Sequence, residues 1–210
     1  MLPIGDDNRY RRITPLVTYA LIVLNIFVFL LELSGGVPFI VHWSVVPQRL
    51  LANPFGDFRT IFTAMFLHAG WLHLLGNMLY LWIFGDNVED RFGHLKFLLF
   101  YLICGIVATL AQLSFNPHST VPNLGASGAI AGVLGAYLLM FPRRQVKVLI
   151  TIIIVKLPAV IVIGFWIVLQ FVNGFGSITD TAHTAGVAYM AHIGGFLAGW
   201  VLTGLFRGRR

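Results

Sequence analysis

Long apolar segments recur along this chain and constrain its fold more than any other feature of the sequence. Each segment approaches the roughly 20 residues that an α-helix needs to cross a bilayer. Of the 210 residues, 58% are apolar and 10% are charged, whereas a soluble domain averages about 45–50% and about 25%. We therefore expect an all-α membrane protein. The predicted spans are 15–33, 66–84, 97–113, 127–141, 158–175 and 187–206.

The connections between these spans are too short to hold a separate globular domain. We therefore predict one membrane domain, a six-helix bundle over residues 1–210. The first apolar stretch is longer than the apolar region of a typical signal peptide and lacks a small-residue cleavage site, so it is expected to remain as the first span. The single cysteine, Cys104, leaves no internal disulfide to form and is expected to be a packing residue.

The positions of the basic residues indicate a topology. If both termini lie on one side, only Arg49 and Arg59 fall on the other side, and the positive-inside rule then places both termini in the cytoplasm. The formal charge of +6 is thereby explained by loops, so no nucleic-acid partner is expected. The basic residues on the shared side are Arg9, Arg11, Arg12, Arg91, Lys96, Arg143, Arg144, Lys147, Lys156, Arg207, Arg209 and Arg210.

Three connections have features of their own. Residues 34–60 are rich in aromatic residues, which suits a loop in the headgroup zone. Residues 85–93 hold three of the eight acidic residues and fit a solvated turn. Residues 146–155 are apolar between two lysines and are predicted to be an interfacial or helix-extending piece, with span 5 beginning at Pro158.

Polar side chains are costly inside a bilayer, so those within the spans mark candidate functional positions. His68, His73 and Asn77 belong to span 2, and the last two share a helix face because they are four residues apart. Ser127 opens span 4 and His192 lies in span 6, each 14 residues before the predicted inner end of its span. Both therefore lie about 21 Å above the cytoplasmic boundary and could meet.

Small residues would allow spans 4 and 6 to approach closely. Span 6 repeats small residues every four positions, and span 4 carries glycines on its own surface. Span 4 covers only about 22 Å of a core about 30 Å thick, so Ser127 is expected in a recess that water enters along residues 116–124. The small residues are Gly128, Gly132 and Gly135 in span 4 and Ala191, Gly195 and Gly199 in span 6.

A serine and a neutral histidine at one depth suit nucleophilic catalysis. Ser127 would be the nucleophile, and His192 the general base and later the acid. Spans 4 and 6 contain no Asp or Glu, so we expect a dyad, with the imidazole oriented by packing or by another hydrogen bond. His73, Asn77 and the Ser127 backbone N–H are candidate donors to an oxyanion.

The residues alone leave other interpretations open. Polar contacts satisfying one another in a transporter core would give the same pattern, although the chain lacks a two-half repeat and intramembrane ion-coupling carboxylates. A zinc site from His68, His73 and His192 is geometrically conceivable, but it leaves Ser127 without a role. Ala129 occupies the last glycine position of the α/β-hydrolase motif, which disfavours that fold.

Five motifs together resemble the rhomboid intramembrane serine proteases over practically the whole chain. Jointly these motifs are specific, whereas the serine motif alone would be weak. The matching segments are Gly125-Ala126-Ser127-Gly128 (GxSG), Ala191-His192-Ile193-Gly194-Gly195 followed by Gly199 (the histidine helix), His68, His73 and Asn77 (HxxxxHxxxN), Phe58-Arg59 (a Trp-Arg pair) and Glu89 with Arg91 (ExR).

The resemblance implies cleavage of transmembrane protein substrates near the outer face of a membrane, chiefly a prokaryotic plasma membrane, without metal or cofactor. It implies that Ser127 and His192 are catalytic and that His73 and Asn77 bind the oxyanion. A catalytically silent member that binds or escorts transmembrane clients is the alternative. The residues implied to be structural are His68, Arg59, Glu89, Arg91, Gly125, Gly128, Gly195 and Gly199.

Two positions depart from the family pattern. Phe58 replaces the tryptophan of the loop motif. Ala131 stands where some members carry a tyrosine beneath the histidine, so the resemblance leaves the support of His192 unexplained.

Overall fold

The structure is a computed structural model that describes residues 1–9, 11–179 and 188–207, and this part of the chain is mostly helical. The helices are α1 (Leu16–Trp43), α2 (Pro47–Ala52), α3 (Pro54–Asp57), α4 (Thr60–Thr63), α5 (Trp71–Tyr80), α6 (Asp86–Phe92), α7 (His94–Phe115), α8 (Ser127–Met140), α9 (Ala159–Thr179) and α10 (Tyr189–Phe206). A 3₁₀ turn covers Ala64–Phe66 and a π-helical turn covers Leu81–Gly85. The strands are β1 (Leu2–Asp6), β2 (Gln145–Ile150) and β3 (Ile153–Pro158).

Three helices in the described part of the chain, α1, α7 and α10, are long and apolar enough to cross a bilayer. Helix α8 and residues 159–175 of α9 form shorter apolar helices. The predicted start of span 6 at residue 187 lies outside the described residues, as do Arg209 and Arg210. The count of six spans and the cytoplasmic termini therefore stay predictions.

A three-stranded antiparallel sheet in the order β1-β2-β3 makes the all-α prediction wrong. The segment expected to be interfacial or to extend a helix is the hairpin of β2 and β3, with Lys147 opposite Lys156. Val146 and Val148 are fully buried while Gln145 and Lys147 are exposed. This period of two, in a segment rich in β-branched residues, favours a strand over a helix.

Span 2 differs from the prediction at both ends. Helix α5 begins at Trp71 instead of residue 66, so His68 lies in the turn before the helix. At its other end the helix runs on through the π-helical turn into α6 and stops at Gly93, where φ is +79°. The prediction of a solvated turn at residues 85–93 is wrong, because all three acidic residues there are buried.

The buried acids of α6 hold the start of α1. Helix α1 has no side-chain cap of its own at Pro15, which leaves its first N–H groups without partners. The Glu89 carboxylate accepts hydrogen bonds from the N–H groups of Val17 (2.9 Å) and Thr18 (2.7 Å) and from the Thr18 hydroxyl (2.7 Å). Glu89 therefore caps α1 from a distant part of the sequence.

The long connection after span 1 is mainly helical. Helix α1 continues beyond Ser34 to Trp43 and is interrupted at Gly36, whose φ of +63° and ψ of −158° are not helical. An L side chain rarely adopts this backbone conformation, so a glycine suits the position. Helices α2 to α4 then lead to the turn before α5.

Helices α8 and α10 are in backbone contact. A Cβ atom at Gly195 would overlap the carbonyl oxygen of Gly128, and one at Gly199 would overlap that of Gly132. On the other side of α8, a Cβ at Gly132 would lie 2.5 Å from the Cβ of Cys104 in α7. Small residues thus set the distance between the helices that carry Ser127 and His192.

Glu89→Ala tests the cap on α1. Removing the carboxylate leaves the buried N–H groups of Val17 and Thr18 without acceptors, which we expect to cost about 2–4 kcal/mol of unfolding free energy. Thermal unfolding in detergent micelles or steric trapping in bicelles would measure the loss. Asp7→Ala, which removes a carboxylate paired locally with Arg9, is the control. Equal stability of the two variants would contradict the capping role.

Asp6 gives the fold a pH dependence. Burial raises the pKa of its carboxyl to about 7, against a smaller opposing effect of the Tyr137 hydroxyl. Because the unfolded acid ionises near pH 3.8, folding takes up a proton between these values, and stability falls as the pH rises from about 4 to about 7. The change is on the order of a few kcal/mol.

The matched variant for this effect is Asp6→Asn, which cannot ionise. We expect the unfolding midpoint of the wild type, measured in detergent between pH 5 and 8, to fall with rising pH relative to that of Asp6→Asn. Other titrating groups are common to both proteins, so the difference isolates Asp6. Parallel curves would show that Asp6 is already ionised across this range.

Candidate active site

Ser127 is the first residue of α8 and follows a non-helical segment that is fixed to its surroundings. The N–H of Gly125 donates to the carbonyl oxygen of Ala64 (2.8 Å), and Val45 and Asn123 exchange two backbone hydrogen bonds of 3.1 and 2.7 Å. The φ of Gly125 is +125°, a conformation that favours glycine. This segment therefore presents the serine at the start of a helix.

His192 lies beside the Ser127 hydroxyl. Its Nε2 is 2.8 Å from the Ser127 Oγ, which is a hydrogen-bond distance. The two residues come from α8 and α10, the helices that the glycine contacts bring together. The structure thus joins the two side chains that the sequence had placed at one depth.

The other nitrogen of His192 contacts α9. The Gln170 Oε1 lies 2.8 Å from His192 Nδ1, and the Gln170 side chain is only 9% exposed. The Trp166 ring packs near the imidazole, with ring centroids 5.8 Å apart. The sequence analysis missed both residues, although an amide in an otherwise apolar helix is a signal of a buried contact.

His73 points a hydrogen-bond donor at the same region. Its Nδ1 accepts the N–H of Ala69 at 3.3 Å, so a neutral ring carries its proton on Nε2. The position that a Gly125 Cβ would occupy is 2.9 Å from His73 Nε2 and 3.6 Å from Ser127 Oγ. His73 therefore packs directly against Gly125 and leaves no room for a side chain there, and its Nε2 and the Ser127 Oγ both face this glycine.

Asn77 lies one helical turn after His73 on the same face of α5. It is 8% exposed, and its side-chain nitrogen makes no hydrogen bond within the described part of the chain. A buried donor without an acceptor is costly unless a ligand uses it. The side-chain N–H of Asn77 is therefore available to donate a hydrogen bond to a bound group.

His68 and Glu32 pack behind His73. The His68 ring is buried, 5.1 Å from that of His73, and the backbone N–H of His68 donates to the Glu32 carboxylate at 3.0 Å. Glu32 was not predicted from the sequence; it is a buried carboxylate within the first predicted span, of the kind that the argument against a transporter took to be absent. The contacts of His68 and Glu32 fix the turn before α5, and this turn sets where the helix begins.

A small cavity adjoins Ser127. It offers about 40 Å³ to water, enough for two or three molecules at about 15 Å³ each. Its polar lining includes Ser127, Gln112, Thr109 and Asn123. Gln112 also accepts the backbone N–H of Ala191 (3.3 Å), which ties this cavity to the start of α10. The site thus has room for water next to the hydroxyl.

The remaining predicted residues lie away from Ser127. Arg59 stacks over the Trp43 ring at 5.3 Å and Arg91 over the Phe141 ring at 5.4 Å; Phe141 is at the opposite end of α8 from Ser127. Glu89 caps α1 as described. In the described residues, no group of three or more His, Cys, Asp or Glu side chains is arranged to hold a metal ion.

Comparison with known proteins places this geometry in a family. The rhomboid domain model matches residues 56–209. The chain belongs to the rhomboid family. Together with its long apolar helices, this membership makes it an integral membrane protein.

Similar rhomboid proteins come from bacteria and plants. The chain is 35% identical over 190 residues to "Rhomboid protease GluP" of Bacillus subtilis, a match that covers 89% of this chain and 34% of that protein. It is 27% identical over 200 residues to "Putative rhomboid protease YdcA" of the same organism, covering 91% and 88%. The match to "RHOMBOID-like protein 5" of Arabidopsis thaliana is 30% over 170 residues, covering 81% and 50%. The chain thus spans a third to a half of two of these relatives.

Proposed function

We propose that the chain is an intramembrane serine endopeptidase, which hydrolyses peptide bonds in or near the transmembrane segments of other proteins with a Ser127–His192 dyad. The observation that carries the proposal is the 2.8 Å contact between Ser127 Oγ and His192 Nε2 beside the His73 donor. Membership of a family with members named as proteases supports the same reaction.

The first step is attack on the scissile carbonyl. His192 Nε2 takes the hydroxyl proton as Ser127 Oγ bonds to the carbonyl carbon, and the imidazolium then protonates the leaving amine. Water from the adjacent cavity then attacks the acyl carbon as it gives a proton to the same nitrogen, and the imidazolium returns that proton to Ser127 Oγ when the acyl–Oγ bond breaks. One base therefore serves both halves of the reaction.

The developing oxyanion needs fixed donors. Ser127 Oγ and the Nε2–H of His73 both face Gly125, so a carbonyl attacked by Ser127 would have this donor nearby. The unpaired amide of Asn77 and the free N–H at the start of α8 are further donors. The donors are in place before the charge forms, which lowers the cost of forming it.

The proposal includes six spans with both termini in the cytoplasm, so that the start of α8 opens toward the outer face. The distribution of basic residues supports this orientation. The substrates are transmembrane proteins in contact with membrane lipid, and the proposed location is a prokaryotic plasma membrane. Two of the similar proteins belong to Bacillus subtilis, which supports that location.

A serine-directed probe tests the nucleophile. We expect a fluorophosphonate to label the purified protein in detergent on Ser127, and Ser127→Ala to abolish both labelling and cleavage of a model transmembrane substrate. Intact-mass spectrometry and peptide mapping give the site. Labelling that persists in Ser127→Ala, or a wild type that no probe labels, would reject the assignment. Ser114→Ala, which changes an exposed serine of α7, is the matched control.

Gly125→Ala tests whether the packing of His73 against Gly125 holds the proposed oxyanion donor in place. The new Cβ would lie 2.8 Å from the His73 Cε1, and the φ of +125° strains any side chain. We expect cleavage to fall by about 100-fold or more, the loss typical of removing one oxyanion donor. Initial rates with a fluorogenic transmembrane peptide would measure it. Gly204→Ala is the control, because its new Cβ would have no neighbouring atom within 4 Å. Full activity of Gly125→Ala would contradict the role of His73 as a donor held in place by Gly125.

A further inference from the structure

We propose that Gln170 is a positioning residue of the site, which holds His192 in the one tautomer that can accept the proton of Ser127. This inference rests on the proposed function. It starts from a gap that the sequence leaves open, namely how the imidazole is oriented when residue 131 is an alanine and α8 and α10 carry no carboxylate.

The orientation of the Gln170 amide follows from its neighbours. Its Nε2 donates to the backbone carbonyl oxygen of Trp166 at 3.3 Å. A carbonyl oxygen can only accept a hydrogen bond, so the NH₂ group of the amide must face Trp166. The Oε1 is then the atom that faces His192 Nδ1 at 2.8 Å.

The tautomer of His192 follows from that orientation. Because Oε1 can only accept, Nδ1 must carry the imidazole proton, and Nε2 is left with its lone pair. This lone pair faces Ser127 Oγ at 2.8 Å and can receive the hydroxyl proton. A chain of directional hydrogen bonds thus runs from the Trp166 carbonyl through Gln170 and His192 to Ser127.

An amide differs from a carboxylate in what it can do after proton transfer. The Gln170 amide orients the His192 ring and accepts its Nδ1–H in both the neutral imidazole and the imidazolium. It carries no negative charge that would stabilise the imidazolium. The only titratable side chain near His192 from the packed elements is His73 of α5, within the described residues. Gln170 therefore fixes the orientation and the tautomer of the His192 ring. It does not supply a negative charge that would make the ring more basic.

Kinetics separate this role from a merely structural one. We expect Gln170→Leu to lower kcat roughly 10- to 100-fold, as for one lost buried hydrogen bond, with KM nearly unchanged because the proposed role concerns the chemical step and not substrate binding. The unfolding midpoint should stay close to that of the wild type. Asn173→Ala, an exposed amide in the same helix, should have no effect on kcat.

Gln170→Glu keeps the size of the side chain and the acceptor, so it should restore most of kcat at alkaline pH. The added negative charge would make the imidazole easier to protonate, so the acidic limb of the pH–activity profile should move to higher pH. The pH profile of Gln170→Leu should keep its acidic limb. The comparison of Gln170→Glu with the wild type remains informative even if Gln170→Leu folds poorly.

Nitrogen NMR of histidine-labelled protein reads the tautomer directly. In the Ser127→Ala protein we expect His192 to show a protonated Nδ1 and an unprotonated Nε2. When Gln170→Leu is added to Ser127→Ala, we expect a mixture of the two tautomers. An unchanged tautomer together with unimpaired kcat in Gln170→Leu would overturn the inference while leaving the proposed function intact. A wild type that no serine probe labels would overturn the proposed function and the positioning role with it.

Discussion

The contact between the backbones of α8 and α10 is the constraint on which the site depends. Gly195 and Gly199 lie against the carbonyl oxygens of Gly128 and Gly132, with no room for a Cβ at either position. Only at this separation can a short serine side chain meet an imidazole from the next helix. Dispersion forces and backbone contacts supply the attraction, since hydrocarbon gives no hydrophobic drive between apolar helices. The geometry of the contact between Ser127 and His192 is thus a consequence of glycine spacing.

Around this contact, each polar group of the site has a direction imposed by a neighbour. The Ala69 N–H fixes the proton of His73 on Nε2, and the Trp166 carbonyl fixes the amide of Gln170. Within a low-dielectric interior such bonds are strong and unpaired groups are costly. The buried Asn77 side-chain nitrogen and both ring nitrogens of His68 have no such partner within the described residues, and in the proposed reaction the Asn77 donor serves the developing negative charge.

Much of the site could be predicted from the sequence, and the missed parts have physical explanations. Ser127 and His192 are detectable because polar residues are rare in apolar spans, and equal depth follows from counting residues along helices. Gln170 and Glu32 were overlooked because their partners are set by tertiary packing, which residue spacing does not reveal. The hairpin of β2 and β3 was missed because a short apolar run fits a strand or a helix equally well. The buried acids of α6 looked like a turn because their partners, the Arg11 side chain and N–H groups at or just before the start of α1, lie about 70–80 residues away.

A crystal structure of the protein after reaction with a fluorophosphonate would test the central claim most directly, namely that nucleophile, base and oxyanion donor converge on one point. The account predicts phosphorus bonded to Ser127 Oγ, its phosphoryl oxygen within hydrogen-bond distance of His73 Nε2, and the His192 ring still against Ser127 and Gln170. A phosphoryl oxygen directed away from His73, or a His192 ring turned out of reach of Ser127, would contradict it.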